Sequence, residues 1–179
     1  MPRPGPVTAL LGRIFATDSR CLWVLAACSF VLVRFYLARG GVSWAGDGSL
    51  HLTYAALAAQ SIAAGQLPIW TNYFAAGSPF LQFYGFAFYY VVGLLDLLLG
   101  DLNLSVKLVL AAGHVLSGLT MFAFLRVALR SRSAAFLGGL GFVLTFWHTQ
   151  HVVIMGRLPL SLFYACLPLP FCFFERARI

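Results

Sequence analysis

Carboxylates are nearly missing from this chain. Five of its 179 residues are Asp or Glu, and charged residues of either sign make up 9% of it, against about 25% in an ordinary soluble domain. With 61% hydrophobic residues, there is too little polar surface for a soluble globule, and the composition points to an integral membrane protein. Cysteine is almost as scarce. Cys21, Cys28, Cys166 and Cys172 lie in or beside apolar segments, and no pair has CxxC spacing, so neither a disulfide framework nor a thiolate zinc site is indicated. The net charge of +7 raises the question of nucleic acid. No basic cluster is interleaved with aromatics, so that partner is excluded. Repeats and low-complexity segments are also missing.

What is present is a series of apolar segments with arginines at their ends, the pattern that orients membrane proteins. Residues 1–21 read as a basic tail with Arg3, Arg13 and Arg20. Residues 22–38 (LWVLAACSFVLVRFYLA) predict a first span. Arg34 interrupts it and LARGG follows in place of a small-residue cleavage site, so it reads as a retained signal anchor. Residues 39–102 form a large loop, in which 50–64 is Ala-rich and helix-favouring and stops at Gly65 and Pro68. Further spans are expected at 103–125, 134–147 and 158–174, and 175–179 closes the chain.

Segment 80–99 (FLQFYGFAFYYVVGLLDLLL) is apolar but dense in aromatics, and it carries Asp96. An acid inside a span is costly, and aromatic rings favour the headgroup belt. If 80–99 lies flat and the amino terminus is cytoplasmic, eight of the twelve Lys and Arg residues face the cytoplasm. If 80–99 crosses as a normal span, seven of the twelve face outward, and a fully inverted five-span chain restores only a weaker bias of seven to five. The expected fold is therefore an all-α polytopic bundle of about four spans, with interfacial helices in the first outer loop. Asp47, His51, Asp101, His148, His151 and Arg157 then share the extracytoplasmic side.

Asp47 is the only charged residue between Gly40 and Leu95, and His51 follows it at i+4, on the same face wherever the geometry is helical. Asp47 serves equally well as the N-cap of the 50–64 helix, although Ser49 is as well placed. His51 reads equally as an interfacial polar residue. His148 and His151 are spaced i, i+3. With Asp47 they have the donor types of a divalent-metal site, and by themselves they are polar residues at a helix end. Asp101 reads as a cap for the 103–125 helix. Gly138, Gly139 and Gly141 read as small residues for close helix packing.

Asp47 and His51 (D-x-x-x-H), Gly65, Leu67, Pro68 and Trp70 (GQLPIW), Gly77 and Pro79 within AAGSPFLQFYG (75–85), and the later MGRLP (155–159) stand in a distinctive order. This order resembles the GT-C glycosyltransferases, which use polyprenyl-phosphate sugars as donors. It is similar above all to the bacterial membrane-protein group called 6-pyruvoyl-tetrahydropterin synthase related. The resemblance covers roughly residues 22–174. It departs from the family in three ways. About four spans are expected where members have ten or more, Gly48 follows Asp47 where many members have a second acid, and Gly156-Arg157 reverses the family's Arg-Gly order. An amino-terminal portion of such a protein is the expectation, and nothing resembles the zinc site of the synthase itself.

The resemblance implies transfer of a sugar from a polyprenyl-phosphate donor at the outer face of a bacterial inner membrane. Asp47 would act as general base or metal ligand, with His51 as a second base. His148, His151 and Trp70 are implied on the substrate, and Arg157 on the lipid phosphate, which guanidinium binds in bidentate fashion. Arg34, Arg39 and Lys107 are weaker phosphate candidates, because snorkelling to headgroups also accounts for them. The rival expectation is a non-catalytic integral membrane protein, a scaffold or part of a transporter, whose outer loop is structural.

Overall fold

The structure is a computed structural model that describes residues 5–38, 40, 46–73, 76–82 and 85–179. Arg39, Trp44 and the Phe83–Tyr84 part of the aromatic segment lie outside them. Among the described residues the chain is helical, with no strand beyond an isolated bridge pairing Thr71 and Ser78. The helices are α1 (Pro6–Ile14), α2 (Asp18–Val33, extended by a 3-10 turn at Arg34–Leu37), α3 (Gly48–Ala63), α4 (Phe86–Leu99), α5 (Leu102–Leu129), α6 (Arg132–Leu144), α7 (Phe146–Thr149, followed by a π-helical turn at Gln150–Ile154), α8 (Leu160–Cys166) and α9 (Pro168–Arg178).

Among the described residues three helical stretches are long and apolar enough to cross a membrane: Asp18–Leu37, Leu102–Leu129 and Leu160–Arg178. The first begins where Thr17 Oγ1 accepts the Arg20 amide. The second begins where Asp101 accepts the Leu104 amide at 3.0 Å, the capping role expected of Asp101. The third is divided at Leu167, where Pro168, with no N–H to donate, starts α9. The span expected at 134–147 takes a different form. Helix α6 has 13 residues, about 20 Å of rise, and stops at Thr145, whose backbone turns extended while its hydroxyl bonds back to the Gly141 carbonyl. The expected tail 1–21 is also partly helical. Pro6 opens α1 at a position that tolerates its missing N–H, and α2 takes in Asp18–Arg20 because Thr17 caps it. At the other terminus α9 continues through 175–178, closed by the Glu175–Arg178 pair.

The central helix is α5, which packs on α2, α4, α6, α8 and α9. At its carboxyl end, Asp18 bonds both Arg126 and Arg132, fixing the start of α2 against the α5–α6 turn. We call this the basic end, since Arg13, Arg20, Arg126, Arg130 and Arg132 gather there. Its core is Cys21, Leu25, Phe122, Ala135 and Phe136. Gly139 permits the α5–α6 contact, because a methyl group there would sit 2.9 Å from the Gly118 carbonyl. Gly138 likewise faces Leu125, whereas Gly141 has open space beside it.

At the loop end, Lys107 Nζ donates to the carbonyls of Ala38 (2.8 Å) and Gly40, closing the end of the first span. Helices α3 and α4 pack here side by side, with Gly93 against Ala59 and Ile62. A methyl group at Gly85 would touch Pro159, and α4 ends where α5 begins. Both ends of α4 are thus at the loop end, and its 14 residues rise only about 21 Å. The second core joins these helices to α5 and α8 through Leu52, Phe88, Tyr89, Val106, Leu158 and Tyr164.

Candidate functional site

Two segments distant in sequence are latched together at the loop end. The Asp47 amide donates to the Met155 carbonyl at 3.0 Å. Gly46 makes the approach possible. Its φ is +54°, and a side chain there would collide with the Met155 backbone, so both conformation and space call for glycine. The latch sets the Asp47 backbone two residues from Arg157, and residues 46–52 and MGRLP therefore lie on one side of the bundle. Asp47 stands at the N-cap of α3, but its carboxylate makes no capping bond. The carboxylate is exposed, while its carbonyl accepts the His51 amide.

His51 is turned the other way. It is 3% exposed, and its Nδ1 lies 2.6 Å from the Tyr89 hydroxyl, in a nest completed by Tyr54 edge-on to Tyr89. Burial lowers the imidazole's pKa and the Asp47 carboxylate opposes this, so the neutral ring is favoured. The i, i+4 spacing thus puts one residue in water and the other in the core. Among the described residues no three His, Cys, Asp or Glu side chains gather as a metal set. With His51 bonded to Tyr89 and Asp47 facing water, Asp47 and the histidines do not form a divalent-cation site.

His148 and His151 are both buried. His151 Nδ1 lies 3.3 Å from the Tyr164 hydroxyl, and the His151 carbonyl accepts the Arg157 amide, so this histidine shapes the turn that presents Arg157. His148 stacks on Tyr164, with ring centroids 4.3 Å apart, and on His114 at 5.0 Å. It faces the bundle interior and not the Asp47 loop. Arg157 is exposed. Trp70 is separated from all of these. It lies beside Gln60 and Ser61 near the far end of α3, its Nε1 donates to Asn72 Oδ1 at 2.9 Å, and its ring sits against Gly77. The GxLPxW and GxP motifs therefore meet each other in a turn, away from the acid. Lys107 is consumed in closing the first span, and Arg34 sits exposed on the 3-10 turn at the loop end.

Sequence reasoning missed Tyr89 and Tyr164 as histidine partners and His114 as the neighbour of His148. The available signal was a histidine within an apolar helix, which costs enough to require a reason. The loop end can therefore offer an exposed carboxylate and a guanidinium on adjoining backbone. Compared with protein-family models, with curated proteins and with solved structures, the chain matches none.

Proposed function

We propose that this chain is a GT-C-type membrane glycosyltransferase or the amino-terminal portion of one, acting on a polyprenyl-phosphate sugar at the extracytoplasmic face of a bacterial inner membrane. In this reading α6 and α7 together form the fourth span, α3 and α4 lie in the outer interface, and the amino terminus is cytoplasmic. The gathering of arginines at the end opposite Asp47 supports the orientation. The observation that supports the proposal is the latch from the Asp47 amide to the Met155 carbonyl, because it holds the backbone of the candidate base close to that of the candidate phosphate ligand.

The chemistry is a displacement. Asp47 accepts the proton of an acceptor hydroxyl as that oxygen attacks the anomeric carbon. The bond from that carbon to the phosphate oxygen breaks, and Arg157 pairs with the charge that develops on the departing polyprenyl phosphate. His51 supports α3 through Tyr89, His151 shapes the Arg157 turn, and Trp70 holds the neighbouring loop.

Asp47→Asn in the full-length protein, in cells, tests this. The variant keeps the backbone latch and removes the base, a loss of general-base assistance worth roughly 10²–10⁴-fold. The expected outcome is normal expression with loss of a cell-envelope glycan. Undiminished glycan at normal expression removes the catalytic role and leaves the scaffold or transport reading.

A further inference from the structure

A cavity of about 140 Å³ lies between α2, the 3-10 turn, α5 and α7, lined among others by Leu32, Phe35, Tyr36, His114, Leu144 and His148. His114 and His148 in its wall each carry a buried ring nitrogen, Nε2 and Nδ1 respectively, with no hydrogen-bond partner among the described residues. The Phe142 carbonyl lies close to the His148 ring without meeting hydrogen-bond geometry at Nδ1. The two residues are 8% and 3% exposed. A buried polar atom left without a partner costs free energy, and two around one cavity call for a shared one.

The cavity opens sideways between the first span and α6. Its lining residues Leu32, Phe35 and Leu144 are 38%, 53% and 54% exposed. From the same Leu32 and Leu144 a groove continues toward the basic end along Ala27, Cys28, Val31 and Leu140. Every residue along that groove is apolar or a thiol. His114 lies about 10 Å along α5 from Lys107, which closes the loop end of the first span. With Leu102–Leu129 crossing the bilayer, the polar spot lies inside the boundary at the loop end, and the groove below it would face hydrocarbon.

Among the described residues the cavity lining includes no Lys, Arg, Asp or Glu, so a charged head finds no counterion there and would enter a medium of low dielectric at high cost. A hydroxyl fits. It donates to whichever imidazole nitrogen is unprotonated and accepts from the N–H of the other, so one group satisfies both rings. We propose that this cavity and groove form a lateral site for a neutral, hydroxyl-headed lipid, with the hydroxyl between His114 and His148 and the aliphatic chain along the α2–α6 groove. The site is independent of the glycosyl-transfer reading. It needs only a bilayer around α2 and α6, and Asp47 takes no part.

The full chain in nanodiscs is photolabelled with a diazirine-bearing hexadecanol and, separately, with the matching hexadecyl phosphate, and the adducts are mapped by mass spectrometry. The expected result is alcohol labelling within 27–36 and 140–148, at least ten-fold above that from the phosphate. Excess unlabelled hexadecanol or diacylglycerol should compete it away, and which of them does so identifies the source of the hydroxyl. In the His114→Phe, His148→Phe double variant the labelling should fall at least five-fold. The competition arm uses the unaltered protein and stands even if that variant does not fold. Equal labelling by both heads, labelling that neither competitor reduces, or no labelling, as for a cavity holding only water, overturns the proposal.

Discussion

Substituting Gly46 by Ala tests the latch. Gly46 has φ +54° and packs against the Met155 backbone. A left-handed conformation costs an L-residue about 1–2 kcal/mol. The added methyl group cannot share space with the Met155 carbonyl, so the hydrogen bond from the Asp47 amide is lost as well, at about 1 kcal/mol. Together the latch should weaken by about 2–3 kcal/mol, or roughly 30- to 150-fold in its opening equilibrium, since 1.4 kcal/mol is tenfold. The loss is local, because the cores of the bundle do not pass through Gly46. Hydrogen exchange of the Asp47 amide in detergent should therefore accelerate by about that factor, while amides in the middle of α5 keep their protection. Gly65→Ala is the control. Gly65 has φ +69° with nothing within 4 Å, so it carries the conformational cost without the collision. An Asp47 amide that exchanges at its original rate in Gly46→Ala refutes the latch, and with it the nearness of Asp47 to Arg157 on which the proposed chemistry rests.

Lys107→Met should destabilise the chain by about 2 kcal/mol, the scale of a charged group's hydrogen bonds, because the carbonyls of Ala38 and Gly40 lose their donor. The thermal unfolding midpoint in detergent should fall by roughly 4–8 °C, and an unchanged midpoint removes the closing role. The stability of α3 against α4 should depend on pH through His51. Burial holds its folded pKa below the unfolded value, so the unfolded state takes up protons first and stability is lost as pH falls through about 6.5. Asp47 opposes the shift, so Asp47→Asn should steepen the loss of thermal stability between about pH 7 and 5; an unchanged or shallower slope excludes the coupling.

The long-range frame was legible in the sequence because it rests on composition. Hydrophobic runs marked the first, central and last spans, and the scarcity of acids drew attention to Asp47. Asp101 was readable as a cap because capping is local, and Gly138 and Gly139 as packing residues because only small side chains let helices approach. The boundaries failed where a single residue decides them. The backbone turn at Thr145 shortens α6, and Pro6 and Thr17 start helices inside what read as a tail.

The site was legible only as far as spacing carries information. An i, i+4 pair states that two side chains share a helical face, but not whether that face meets water or another helix. Asp47 lies at the cap, where the helix has barely begun, and His51 lies one turn in, where α4 covers the face with Tyr89. That covering comes from a contact 38 residues away, beyond what local periodicity can express. The same limit separates Trp70 from Asp47 although both belong to one ordered motif string. It also joins His148 to His114, which the chain holds on different helices. Residues that meet through tertiary contact leave at most an unexplained polar residue in an apolar run, and His114 is one. An unpaired histidine deep in a bundle thus points to a ligand only after the structure has shown which neighbours fail to satisfy it.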